Sequence, residues 1–287
     1  MTRVLLTGAF GLIGGATRKA LLDNGFQVSA LSNVDPGDTD VDRLFVGDAG
    51  DPDVVRDALA DVDAVVHLAA LPTPMHGTPV EVFGGNTRAT FVVLDEAGRA
   101  GVRRAVIASS YSILGLPFAV HDLHPEYFPL DVRTPLWVED CYALSKQVDE
   151  ATAAMVHRRY GMDVVALRYP FVCDDERRTA RLAQTVADPG AAAREAWAYL
   201  DVRDAADAAR LALTAPLTGV HPVYLAAPET LAPYPTEALI RRYHPTSEIR
   251  TPLPGRTTPI DLRPAADLLG FTARHLTPLT EEPLPAA

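Results

Sequence analysis

The chain has 287 residues, 48% of them hydrophobic, with 26 basic and 37 acidic side chains and a formal net charge of −11. This is enough apolar material for one large domain, or for one with a smaller lobe. The acidic balance and the lack of a basic stripe argue against nucleic acid or an anionic membrane as partner, and no apolar run approaches the ~20 residues of a membrane span.

Short apolar runs alternate with helical patterns along the chain. RVLLTG (3–8) reads as a buried strand, Leu12 to Asn24 as a helix stopped by Gly25, and QVSALS (27–32) and RLFVGD (43–48) as the next strands. Pro52 suits the first turn of a helix running to Ala60. DAVVHLAA (63–70) is a fourth strand, a helix follows from about Val80 to Ala100, and RAVIASS (104–110) is a fifth strand. A helix ending near Tyr160 leads into MDVVALRYP (162–170), the sixth strand. Near-continuous apolar strands are those covered on both faces. Their alternation with helices predicts an α/β fold, a doubly wound parallel sheet. Beyond Pro170 the pattern loosens. YLDVRDAADAARLAL (199–213) and HPVYLAA (221–227) read as strand-helix-strand, and PTEALIRRYHP (235–245) as a helix between prolines. The division expected is a dinucleotide-binding domain over 1–170 and a smaller substrate lobe over 171–287, partly interleaved with the sheet edge. The proline-rich tail TPLTEEPLPAA is expected to be loose.

The opening segment MTRVLLTG shows no apolar core of a secretory signal. Cys141 and Cys173 form no metal-ligand or disulfide pattern. Both features fit a cytoplasmic chain with reduced thiols and no metal site.

Two local patterns carry chemistry. Gly8, Gly11 and Gly14 stand between a strand and a helix, in TGAFGLIGG. One glycine serves the tight turn, one the close approach of a pyrophosphate, and one helix–strand packing. The helix N-terminus then turns unpaired N–H groups toward the phosphates. Second, Tyr142 precedes Lys146 by four residues in DCYALSK, so the two share a helix face. An ammonium beside a phenol favours the phenolate, which makes the pair a candidate acid/base.

Read together, these motifs resemble the extended branch of the short-chain dehydrogenase/reductase superfamily, the NAD-dependent epimerase/dehydratase family. Other landmarks follow in order over roughly residues 1–215: Asp48 at the end of the third strand, His67-Leu68-Ala69-Ala70 at the end of the fourth, and Asn86 on the next helix. Ser109-Ser110-Tyr111-Ser112-Ile113-Leu114-Gly115 and Arg168-Tyr169-Pro170 complete the set. The resemblance implies NAD as cofactor, with NADP not excluded, a small-molecule substrate and a homodimer.

It also implies roles. Ser110 would orient the reacting oxygen, Tyr142 would carry its proton, and Lys146 would bind the nicotinamide ribose. Asn86 would join this catalytic set and also face the cofactor. The pyrophosphate loop would be Gly8, Phe10, Gly11, Leu12, Ile13 and Gly14. The adenosine side would be met by Ser32, Asn33, Asp48 and Ala49. Leu68, Ala69, Ala70 and Ser109 would line the cofactor from the sheet, with Tyr169, Pro170 and Phe171 beyond it. Thr73, Tyr111, Ser112 and Arg181 would join Ser110 and Tyr142 on the substrate side.

Two departures qualify this. Where such folds often place an acid for the ribose hydroxyls, this chain has Ser32 and Asn33. No Lys or Arg occurs from Val28 to Asp42, and Asp35, Asp38, Asp40 and Asp42 would repel a 2′-phosphate. After the sixth strand, Phe171-Val172-Cys173-Asp174 replaces the Asn and Gly-Pro turn of nucleotide-sugar epimerases. With the short lobe, this points toward uronate dehydrogenases, with Arg177, Arg178 and Arg181 as possible holders of a carboxylate. The reading is an oxidoreductase acting on a sugar-like alcohol or carbonyl. The alternative is a redox-neutral epimerase or dehydratase.

Overall fold

A computed structural model describes residues 1–286. Ala287, the last residue of the proline-rich tail, lies outside them. The runs that read as buried strands form β1 (Arg3–Thr7), β2 (Gln27–Ser32), β3 (Arg43–Val46), β4 (Ala64–His67) and β5 (Arg104–Ser110). The helices between them are α1 (Leu12–Asp23), α2 (Pro52–Ala58) and α3 (Pro79–Arg99). After a short β6 (Tyr127–Phe128) come α4 (Cys141–Tyr160), β7 (Asp163–Tyr169), β8 (Phe171–Cys173), α5 (Asp175–Ala187) and β9 (Tyr199–Asp201). The chain ends with α6 (Val202–Thr214), β10 (Val220–Tyr224), α7 (Thr236–Tyr243), β11 (Glu248–Ile249) and α8 (Arg263–Leu269).

Seven strands form one parallel sheet in the order β10-β7-β5-β4-β1-β2-β3. The direction of winding reverses between β1 and β4, and such a switch point opens a crevice at the carboxyl ends of the strands. Side chains alternate across the sheet, and both faces are covered. Val4, Leu6, Val28 and Val66 pack against the α6 alanines 205, 208, 209 and 212. Leu5, Val65, Ala105 and Ile107 pack against α3 and α4 through Val93, Leu94, Ala153 and Val156. The expected doubly wound sheet is therefore present, and β10 of the C-terminal part is its edge strand.

Polar caps fix where the helices start. Thr78 and Glu81 form a capping box at α3. Asp140 Oδ1 accepts from Tyr142 N–H and Ala143 N–H at α4. At the other end of α4, Gly161 takes φ +68°, the left-handed conformation that ends a helix without Cβ strain. A third core reaches the sheet through Tyr224 at the end of β10. It joins Tyr111, Leu114, Phe128 and Leu130 to Trp197, Tyr224, Tyr234 and Ile240.

Two expectations are corrected. β4 ends at His67 rather than Ala70, because Thr7 Oγ1 takes the Ala69 N–H at 3.2 Å and draws the chain out of the ladder. The tail is not loose. Just before it, Asp204 accepts from the backbone N–H groups of Arg274 and His275; within it, Tyr199 Oη accepts from Thr277 N–H at 2.8 Å and Glu282 N–H donates to Pro233 O at 2.7 Å. Backbone bonding of this kind is invisible to a composition reading.

Candidate active site

The site is built on the loops that leave the carboxyl ends of β1, β4 and β5. Gly8 takes φ +67°, and a Cβ there would lie 2.8 Å from Ala69 N. A Cβ on Gly14 would meet Gly8 O at 1.9 Å, so the loop and α1 touch directly. Gly11 differs: its Cβ would stand 3.5 Å from Gly8 O, in ordinary contact. Its smallness serves no packing inside the chain and leaves room beside the helix. The first turn of α1 holds no acidic residue, and Gly11 gives it no side-chain cap. Gly11 and Leu12 are exposed, while Ile13 and Phe10 are half-buried. Uncapped N–H groups at the end of a 12-residue helix, with a cradle a Cβ would fill, fit a dinucleotide pyrophosphate.

Across this cradle, α4 lies against β5. Lys146 is buried, with its Nζ donating to Ala108 O at 3.0 Å and to Asp149 Oδ2 at 3.1 Å. Its ammonium stands 5.8 Å from the centre of the Tyr142 ring, on the shared helix face. Burial opposes the Lys146 charge, yet the carboxylate of Asp149 and the neighbouring phenol raise its pKa. Ser110 ends β5 and caps a 3-10 turn at Tyr111–Leu114, its Oγ accepting from Ser112 N–H at 3.0 Å. That leaves the Ser110 hydroxyl proton for another acceptor. Phe118 stands edge-on over Tyr142, with ring centres 6.1 Å apart. Ser110 and Ser112 thus stand at the end of β5, against which α4 places Tyr142 and Lys146. Leu68 and Ala69 are half-buried, Ala70 is exposed on the same edge, and Thr73 caps a short turn beyond them.

Several other predicted residues are occupied elsewhere. Asn86 is buried and uses its whole amide: Nδ2 donates to Leu71 O and Ser145 Oγ, and Oδ1 accepts from Leu71 N–H. It staples the loop after β4 to α3 and α4. Ser109 points to the opposite side of the strand from Ser110 and donates to Glu150 Oε1 at 2.6 Å. The Tyr169 hydroxyl donates to Ala205 O. Ser32 Oγ donates to Val34 O and accepts Val34 N–H, holding its own loop rather than a ribose. Asn33 is exposed at the same edge; Asp48 accepts from Gly50 N–H and Ala49 is buried beside it. Tyr111 lies in the third core, where burial pushes its phenol well above the usual value.

Two of the three arginines are not free for a carboxylate, and the third, Arg177, is exposed. Arg178 binds Asp175 and the buried Asp201, and Arg181 binds Glu195 while stacking 4.1 Å from the Phe171 ring. Pro170 and Phe171 are half-buried next to them. Helical spacing puts 178 and 181 on one face, and that face meets acidic partners that the linear sequence does not bring near.

Three features escaped the sequence reading. Glu150 grips Arg168 through two bonds of 2.8 Å, and Arg168 reaches on to Tyr224 Oη at 3.0 Å. Burial works against the Arg168 charge, but the Glu150 carboxylate and Tyr224 hold it. Behind Lys146, His67 bonds Thr7 Oγ1 at 2.8 Å and Thr90 Oγ1 at 3.1 Å. Burial, helped by the Lys146 charge, lowers the His67 pKa to about 3. Third, Arg18 on α1 spans to the loop after β2, with Nε 3.2 Å from Asp40 Oδ1 and its guanidinium 4.8 Å from the Phe10 ring. The Lys146–Asp149 pair alone had a signal in the sequence, its i,i+3 spacing on a helix.

Known proteins resemble this chain in sequence and in fold. The chain is 29% identical over 168 residues to a uronate dehydrogenase of Pseudomonas syringae pv. tomato, covering 58% of this chain and 58% of that one. It is 30% identical over 188 residues to a UDP-glucose 4-epimerase of Neisseria meningitidis serogroup C, covering 59% and 52%. The chain thus matches between half and three fifths of the length of these curated relatives. Among solved structures, a short-chain dehydrogenase/reductase superfamily protein from Agrobacterium tumefaciens with bound NAD superposes with a TM-score of 0.71 at 24% identity, over 96% of this chain and 93% of that one. MoeE5 in complex with UDP-glucuronic acid and NAD gives 0.70 at 24% identity, over 95% and 94%. The profile of the NAD dependent epimerase/dehydratase family matches residues 4–227, and the chain belongs to that family of NAD-dependent enzymes.

Proposed function

We propose that the protein is an NAD-dependent oxidoreductase acting on a sugar-like alcohol or carbonyl, a sugar acid being the favoured class. One observation carries this reading: the buried Lys146 ammonium stands 5.8 Å from the Tyr142 ring, on the same edge as the uncapped glycine cradle. In this reading the residues 8–14 loop and the start of α1 hold the pyrophosphate. Lys146 uses its remaining proton on the ribose. Tyr142 passes a proton to or from the substrate oxygen, and Ser110 orients that oxygen with its free hydroxyl proton. NAD, when bound, supplies the hydride chemistry. Phe118 shields Tyr142 from water. Asn86 acts behind the site, by holding the loop after β4.

The 29% identity to a uronate dehydrogenase favours a sugar acid. The second reading, a redox-neutral epimerase, is favoured by the 30% identity to a UDP-glucose 4-epimerase. An absorbance assay for NADH against free uronic acids, free sugars and UDP-sugars separates the two. Net reduction of NAD with a uronic acid is expected. Conversion of a UDP-sugar without net NADH would overturn it.

Residues 1–170 are read as the cofactor unit and 171–287 as the substrate unit. The protein is read as cytoplasmic; among the described residues no helix is long and apolar enough to cross a membrane. A homodimer through α3 and α4 is supported by Phe91 and Leu144, which are exposed on these two helices. A monomer mass by light scattering at micromolar concentration would count against it.

A further inference from the structure

Asp149 lies one turn beyond Lys146 on α4 and is 1% exposed. Its Oδ2 takes one Lys146 proton at 3.1 Å, and Ala108 O takes a second at 3.0 Å. An ammonium has three protons, so one is left for the site. The other carboxylate oxygen, Oδ1, has no hydrogen-bond partner. Burial pushes the Asp149 carboxyl above its usual range, and the Lys146 charge works against that.

The surrounding groups leave Asp149 as the counter-charge. Thr7 Oγ1 takes the Ala69 N–H and meets His67 Nδ1 at 2.8 Å. His67 Nε2 meets Thr90 Oγ1 at 3.1 Å, and burial keeps the imidazole neutral, so it adds no charge beside Lys146. Glu150, the next acid on α4, is taken up by Arg168 and Ser109. Tyr142 faces the ammonium with its ring. Among the described residues, Asp149 is thus the acid bonded to Lys146.

A buried carboxylate is costly to desolvate, and an apolar neighbour would have packed in the same space without that cost. The oxidised nicotinamide ring is positively charged and the reduced ring is neutral. A bare ammonium at the ribose would therefore disfavour the oxidised form. We propose that Asp149 is a positioning residue that holds Lys146 by its carboxylate and cancels its charge, so that the site does not disfavour the oxidised cofactor. This rests on reading Lys146 as the residue that meets the cofactor.

The experiment measures dissociation constants of NAD+ and NADH for the purified protein at one pH and ionic strength. Asp149→Asn keeps an acceptor for Lys146 but removes the charge. It is expected to raise the ratio Kd(NAD+)/Kd(NADH) about threefold to tenfold. Asp149→Glu is expected to restore the ratio to within about twofold. A merely structural role would weaken both cofactors alike, and an unchanged ratio in Asp149→Asn overturns the proposal. Should that variant fail to fold, the double variant Lys146→Met/Asp149→Leu carries the test, since it removes both charges. A wild-type ratio supports cancellation, and a displaced ratio overturns it. Lys146→Met alone guards the underlying reading. If it leaves both constants unchanged, Lys146 does not meet the cofactor, and that reading falls together with the proposal.

Discussion

The glycine cradle and the third core are held together by different physics. In the cradle, neighbours in sequence are neighbours in space: Gly8, Gly11 and Gly14 lie within seven residues, and their backbones touch. The third core draws Tyr111 and Phe128 from one stretch and Trp197, Tyr224 and Ile240 from another. Between them runs a seam of buried charge, from Ser109 through Glu150 and Arg168 to Tyr224. A backbone constraint of short range can be read from residue type and spacing. An aromatic core and an ion pair depend on which distant segment arrives.

The largest expected effect separates chemistry from binding. Tyr142→Phe removes the proton carrier and keeps the ring beside Phe118, so kcat falls roughly 10²–10⁴-fold while NAD affinity stays. Near-normal turnover by this variant would show that proton transfer is elsewhere. Next comes the seam. Glu150→Gln leaves the Arg168 guanidinium buried without its carboxylate, and breaking such a pair costs about 3 kcal/mol or more. Denaturant unfolding checks this, and a loss below about 1 kcal/mol would mean that Tyr224 alone satisfies Arg168.

The buried imidazole gives a pH test. His67 titrates near 3 in the folded chain against 6.5 in the unfolded one, so below 6.5 the unfolded state binds more protons. Stability is therefore lost as pH falls from about 6.5 toward 3, by up to about 1.4 kcal/mol per unit. Between pH 7 and 5 that amounts to roughly 2 kcal/mol. His67→Gln keeps hydrogen-bonding capacity and should reduce the pH 7-to-5 loss by that amount. An equal loss in variant and parent would assign the acid sensitivity to other groups.

The smallest effect sharpens the cradle itself. Gly11→Ala meets no protein atom closer than 3.5 Å and has an ordinary φ of −77°. It should leave thermal stability nearly unchanged and weaken NAD about tenfold, by crowding the pyrophosphate. Gly14→Ala, with its contact of 1.9 Å to Gly8 O, should lose stability as well. Equal behaviour of the two variants would remove the distinction between ligand room and helix packing.

The amino-acid sequence by itself determined the doubly wound sheet, the cradle and the Tyr142–Lys146 face. Apolar runs, glycine spacing and the i,i+4 relation are local, and local sterics decide them. The resemblance to the family also singled out Ser110, counted back from Gly115, and that residue ends β5. Tertiary structure alone decided what the remaining polar groups do. Alternation along β5 turns Ser109 toward Glu150 while Ser110 faces the site. Arg181 looked available until Glu195 arrived from the loop before β9, and Ser32 looked ready for a ribose until it bonded its own loop. The tail looked loose until Tyr199 and Pro233 took its backbone N–H groups. The reason is common to all four. A hydrogen bond or ion pair has no period along the chain, and its partner is whichever complementary group the packed elements bring within about 3 Å.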